Sequence, residues 1–110
     1  MLRDNMDRIF IVYITAAHLT DATTISDHIV AEKLVACTNI IDNMKSCYFW
    51  EGKKEGSSEV VLICKTVENK LPELEKCIKR LHAYDCPCFV AWPVEYVSED
   101  YAQWVRESVS

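Results

Sequence analysis

Cys86-Pro87-Cys88 is the most unusual local feature of the chain. In an extended segment, residues i and i+2 project to the same side, so these two thiols would converge. Paired thiolates suit a soft ion such as Cu(I) or Zn(II). His82, four residues earlier, adds an imidazole within reach. The set falls short of a closed structural zinc site, which takes four ligands. Any further ligand would have to come across an interface with a second subunit. The alternative is two free thiols beside a loop.

Other chemistry is sparse. No Ser/His/Asp or Cys/His arrangement follows from spacing. The first loop, Thr15-Ala16-Ala17-His18, has no glycine with which to cradle an anion. His18 and His28 are not at i,i+4 spacing and read as surface residues. The expectation is a protein that is not an enzyme and requires no cofactor.

The chain has 110 residues, which suits one domain spanning 1–110, with residues 1–7 as a loosely ordered extension. Half of its residues are hydrophobic and the formal net charge is −5. An acidic chain has no general field for phosphate backbones or anionic lipid, so no nucleic acid and no membrane partner is expected. No apolar run reaches membrane-spanning length. The N-terminus mixes both signs of charge and carries no leader pattern, which points to a cytoplasmic protein. In that compartment the six cysteines stay reduced. Cys37, Cys47, Cys64 and Cys77 lie in apolar periodic segments and read as buried free thiols.

Only two glycines and three prolines punctuate the chain, so its elements should be long. Ile9-Phe10-Ile11-Val12-Tyr13-Ile14 reads as a first strand. Ala22, Ile25, Ile29, Val30 and Leu34 predict a helix over roughly 21–34, capped by Thr20 or Asp21. Ala36 to Trp50 reads as a long strand interrupted at Asp42-Asn43, or as two strands in line. Gly52 to Gly56 reads as a turn, and Glu59 to Thr66 as a third strand. A second helix is expected over 70–82, with Asn69 as cap and Pro72 in its first turn. Phe89 to Val94 forms a fourth strand, where Pro93 indicates an edge or a bulge. Ser98 caps a last helix carrying Tyr101, Trp104 and Val105, and Trp92 and Trp104 read as packing residues.

This order is β-α-β-β-α-β plus a terminal helix, the ferredoxin-like arrangement of the α+β class. Both helices should cover one face of a four-stranded antiparallel sheet. Strands one and three are nevertheless apolar on both sides. No remaining segment is long enough to cover the second face, which implies an oligomer.

Motifs then accumulate along the chain. They are Leu34-Val35-Ala36-Cys37-Thr38-Asn39-Ile40, Ser46-Cys47-Tyr48-Phe49-Trp50-Glu51-Gly52-Lys53, and Glu59 through Lys65-Thr66. His82-Ala83-Tyr84, Pro93, Tyr101 and Trp104 follow. In that order they resemble the CutA divalent-cation-tolerance family over about residues 9–106. The resemblance implies a PII-like homotrimer in which long strands pair between subunits. It also implies a link to tolerance of copper and other divalent cations, and no accepted catalytic reaction. Tyr48, Trp50, Glu59, Lys65 and Tyr84 stand at family-matching positions that would line an intersubunit cleft. Lys65 is open to a pairing with Glu59 or another acid, or to holding an anion. The copper ligands assigned in some bacterial relatives fall on Ile14, Leu81 and His82, and only His82 could serve.

Three rival readings remain. RNA binding on this element order needs aromatics exposed on the central strands near basic residues; Val60-Val61-Leu62-Ile63-Cys64 has none. An acyl-phosphate hydrolase needs the anion cradle missing above. A PII-like sensor would bind a small molecule between subunits, but the segment from Gly52 to Ser58 is short for its signalling loop.

Overall fold

The computed structural model of the protein describes residues 8–110. The extension expected over residues 1–7 lies outside the described residues. The β-branched run forms β1 (Ile9–Ala16), followed by helix α1 (Leu19–Ala31). Two long strands come next, β2 (Cys37–Trp50) and β3 (Lys53–Val67). A 3-10 turn at Glu68–Lys70 leads into α2 (Leu71–Leu81), then β4 (Phe89–Pro93) and α3 (Glu99–Ser108). The sheet is antiparallel throughout, in the order β2-β3-β1-β4. This is the ferredoxin-like topology with a C-terminal helix, and Pro93 sits on an edge strand as its missing N–H requires.

Alternate residues of the central strands build the core. Val12 and Ile14 of β1 and Leu62 and Cys64 of β3 face Ile25 and Ile29 of α1 and Leu74, Cys77 and Ile78 of α2. Thr66 is a fully buried polar residue on this face, and its hydroxyl donates to the Leu34 carbonyl at 2.7 Å. Burial pushes the Cys64 thiol up to about 12, ahead of the smaller influences of Cys37 and Lys65. It is therefore a neutral packing group. All six cysteines are free. Cys64 and Cys77 are buried as expected, Cys37 is half-buried, and Cys47 is exposed, against expectation.

Helix α1 begins and ends earlier than the apolar spacing predicts. The extended backbone of His18 is its N-cap, with the His18 carbonyl accepting the Ala22 N–H at 3.1 Å. Lys33 has a φ of 58° and stops the helix. Leu34 N–H then donates to Ile29 and Lys33 N–H to Val30, both at 3.0 Å. That pair of bonds is a Schellman motif, closed by apolar contact between Leu34 and Ile29. Asn69, expected as the cap of α2, lies instead in the 3-10 turn; Pro72 is in the first turn as predicted. Ser98 is the N-cap of α3 through its carbonyl, without a side-chain cap bond.

The β2–β3 hairpin is longer than predicted. Trp50 opposes Lys53, so only Glu51 and Gly52 form the loop. Both have positive φ, 51° and 78°, the type I′ geometry whose twist matches antiparallel strands. Residues 53–56 are therefore strand, not turn. The interruption predicted at Asp42-Asn43 is a β-bulge, since Ile41 opposes Val61 and Met44 opposes Glu59. Asn43 is held at a φ of 62°, and its N–H donates to the Asp42 carboxylate at 2.7 Å. Beyond the bulge the hairpin projects as an arm. The molecule extends 53 × 26 × 22 Å with a radius of gyration of 15.0 Å, against about 13 Å for a compact chain of this length.

Asn43 gives a local test. Asn43→Val places a β-branched residue in left-handed backbone and will lower the unfolding free energy by about 1–2 kcal/mol. Asn43→Gly will stay within about 0.5 kcal/mol of the parent. Urea unfolding reads both. Equal losses in the two variants would assign the effect to the amide side chain rather than to φ.

Helix α3 corrects one expectation about the second sheet face. Ala102, Val105 and Val109 pack on Ile9 and Val67, so part of that face is covered within the chain. The rest lies open. By strand alternation and register it carries Ile41, Ile63, Tyr13 and Val90, with Trp92 one step nearer α3. Ile41, Val90 and Trp92 are 53%, 51% and 43% exposed. Trp92 and Trp104 are thus half-exposed rather than buried packing residues, and Trp104 lies against the Tyr101 ring.

Candidate functional site

The residues nominated by sequence separate into three places. Glu59, Tyr84, Cys88 and His82 gather where β1 ends and the arm begins, with Tyr48 farther along the arm, opposite Glu55. Trp50 lies at the arm tip, 65% exposed, six residues from Met44, which opposes Glu59. Lys65 lies at the other end of the sheet, opposite Cys37 and Ile11. Lys65 and Glu59 are six residues apart on one strand, about 20 Å at the usual rise per residue. The pairing considered between them is therefore excluded; Lys65 Nζ donates to Asn39 Oδ1 at 2.7 Å.

Local structure explains the gathering. Thr15 ends β1 on the open sheet face, opposite Val61. Glu59 is two residues from Val61 on the same face of β3. The loop between α2 and β4 runs back over this corner. The His82 ring lies next to Tyr84, with centroids 4.7 Å apart and planes at 49°. His82 Nε2 is 2.6 Å from the Thr15 carbonyl, and the Tyr84 N–H donates to His82 Nδ1 at 3.0 Å.

The electrostatics report the same proximity. Burial first, then the nearby Glu59 carboxyl and Tyr48 phenol and a hydrogen bond with Glu59, push the Tyr84 phenol above its usual range. Burial and then Glu59 also push the Cys88 thiol up, while hydrogen bonding with Thr15 pulls it the other way. Both groups are neutral near pH 7. Glu59 influences both.

The corner brings the Glu59 carboxyl, the Tyr84 ring with its polar tip, and the neutral Cys88 thiol together. It borders an open cleft of about 340 Å³ lined in part by His18, Asp42, Asn43 and Glu59. A larger groove of about 570 Å³ lies between α1 and α2, lined in part by His28, Glu32, Lys76 and Arg80. It contains none of the residues nominated from sequence.

The metal set His82, Cys86 and Cys88 is not assembled. Among the described residues, no group of three His, Cys, Asp or Glu side chains is placed to hold a metal ion. Cys86 is exposed and Cys88 half-buried, and both ring nitrogens of His82 already have partners. Within one chain these residues do not fit a closed metal centre.

Thr15 was missed from sequence as a site residue. Its carbonyl meets His82 and its side chain meets Cys88. A polar residue closing an otherwise apolar strand is the signal that marks it. Met44 was also missed; its sulfur accepts the Tyr13 hydroxyl at 3.2 Å across the open face.

Comparison with known proteins gives one consistent result. The sequence model of the family described as CutA1 divalent ion tolerance protein matches residues 10–108. The divalent-cation tolerance protein CutA of Archaeoglobus fulgidus is 38% identical over 98 residues, covering 89% of this chain and 95% of that protein. The crystal structure of CutA1 from Oryza sativa superposes with a TM-score of 0.92 at 33% identity, covering 97% of this chain and 98% of that one. The crystal structure of the divalent ion tolerance protein CutA1 from Ehrlichia chaffeensis gives 0.91 at 30% identity, covering 96% and 98%.

Proposed function

The chain belongs to the family of CutA1 divalent ion tolerance proteins, and from that premise we propose a non-catalytic, self-assembling protein of divalent-cation tolerance. It works in the cytoplasm as a homotrimer. The corner built on Glu59, Tyr84, Tyr48 and Cys88 is the cleft that a neighbouring subunit completes. Copper or another divalent cation binds there weakly.

The open apolar strip beside that corner carries this reading. Ile41, Val90 and Trp92 are large apolar side chains on a sheet face that α3 leaves uncovered. Contiguous exposed apolar surface of this kind marks an interaction site. A second copy of the chain offers the matching surface by symmetry. The number three follows the family resemblance.

Cation chemistry at the corner is limited by what the chain supplies. Glu59 offers a hard oxygen donor and Cys88 a soft sulfur donor, with Cys86 exposed two residues away on the same loop. Thiols must lose protons to bind, and burial works against that loss at Cys88. Weak binding follows. A PII-like sensor reading finds less support, because Glu51 and Gly52 alone join β2 to β3 and leave no long signalling loop.

Titration of Cu(I), Cu(II) and Zn(II) against the parent and a Cys86→Ser/Cys88→Ser variant tests the sulfur donors. Cu(I) binding is expected to weaken at least about tenfold, a step of about 1.4 kcal/mol. Unchanged affinity would remove the thiols from the site.

A further inference from the structure

We infer that His82 is a positioning residue and not a metal ligand: it ties the α2–β4 loop to the end of β1 and sets Tyr84 beside Glu59. His82 draws its functional meaning from the cleft proposed above, but its hydrogen bonds belong to the chain alone. Two contacts, read independently, fix the same ring state. The Tyr84 backbone N–H can only donate, so Nδ1, 3.0 Å away, must accept and carry no proton. The Thr15 carbonyl can only accept, so Nε2, 2.6 Å away, must carry the proton and donate. The imidazole is neutral, its tautomer is set from both sides, and no ring lone pair is left for a cation. To ligate through Nδ1 it would have to release Tyr84; through Nε2 it would have to lose a proton and release Thr15.

The same two bonds explain where Tyr84 stands. His82 lies immediately after α2, with its own N–H donating to Ile78 at 2.8 Å. The ring therefore hangs from the end of a helix and grips a strand 67 residues earlier in the chain. It then turns the backbone two residues on, by accepting the Tyr84 N–H, and packs against the Tyr84 ring at 4.7 Å. Tyr84 is left beside Glu59 and Tyr48, where its phenol feels both. A ligand-binding histidine needs a free nitrogen and gains orientation from a partner at the other. His82 has partners at both, so it orients its neighbour instead.

Ring-15N-labelled histidine in the intact assembly tests the ring state. Long-range proton–nitrogen correlation at neutral pH is expected to show His82 protonated at Nε2 and bare at Nδ1. Adding Zn(II) or Cu(I) should leave that pattern unchanged. A proton on Nδ1, or a His82 pattern altered by either metal, overturns the proposal. His82→Phe tests the positioning, since it keeps a ring against Tyr84 and removes both polar contacts. Hydrogen exchange at the Tyr84 amide should rise at least about tenfold, with Ile78 unchanged. Unchanged exchange at Tyr84 overturns the positioning role. A rise throughout the sheet would be a folding defect, and the parent protein's ring pattern then decides. The thiol reading fails separately: unchanged Cu(I) affinity in the thiol variant has no bearing on the His82 pattern in metal-free protein.

Discussion

Val90→Asp will separate the assembly into single folded chains. Val90 lies on edge strand β4, on the open sheet face, across from Tyr13. It is half-exposed in the single chain, so a carboxylate there keeps much of its water and changes the fold by no more than about 0.5 kcal/mol. Against a second subunit the same carboxylate would be buried without a partner. That penalty is several kcal/mol per ion in real proteins, and symmetry repeats it at each equivalent interface. Trp92 one register step away enlarges the strip, as aromatic anchors do at interface centres. Light scattering on the variant should return one chain's mass, with far-ultraviolet dichroism unchanged. Val90→Ala, which removes area but adds no charge, should stay associated.

Leu62→Ala carries the largest expected effect on folding. Leu62 is fully buried on the helix-side face of β3, between Ile14 on β1 and Ile40 on β2. It belongs to the cluster in which α1 and α2 meet the sheet. Truncation removes its transfer free energy and leaves a cavity that packed strands cannot collapse, together about 2–5 kcal/mol. Most small domains have only about 5–15 kcal/mol in total. The measurement is best made in the single-chain Val90→Asp background, where folding is not coupled to assembly. The two positions lie on opposite sheet faces and two strands apart, so their effects should add. A drop in urea midpoint with unchanged slope is expected. A loss under about 1 kcal/mol would mean that this face is not the core.

Much of this was legible in the sequence because local chemistry and long-range packing agree. Apolar residues on both sides of β1 and β3 announced a sheet wanted on two faces, and Asp42-Asn43 announced the bulge. The misses have physical causes. Cys47 sits in an apolar stretch, but its stretch is the arm, where most of β2 is exposed. Helix α1 stops at a Schellman turn on Lys33, where no glycine or asparagine marks the left-handed residue. Lys65 had acids near it in sequence, yet a strand carries residue 59 away from residue 65, and the same-face neighbour across the ladder is Asn39.

The site was legible as a set of residue types and not as a geometry. Glu59 and Tyr84 lie near one another, while Trp50 and Lys65, named with them, stand at the arm tip and at the other end of the sheet. His82 was named with Cys86 and Cys88, because a spacing of four suggested a shared ligand. Its partner at Nε2 is the carbonyl of Thr15, at the far end of the first strand. A backbone acceptor leaves no mark on side-chain pattern. Only the fold reveals that the imidazole is already committed.

The mass of the purified protein in solution, by native mass spectrometry or light scattering at neutral pH, tests the account most directly. Three times the 12.7 kDa of one chain is the predicted result, with Val90→Asp returning to 12.7 kDa. A parent protein that stays at one chain's mass at micromolar concentration would contradict the account, because the open sheet face and the cleft beside it would then have no second subunit to complete them.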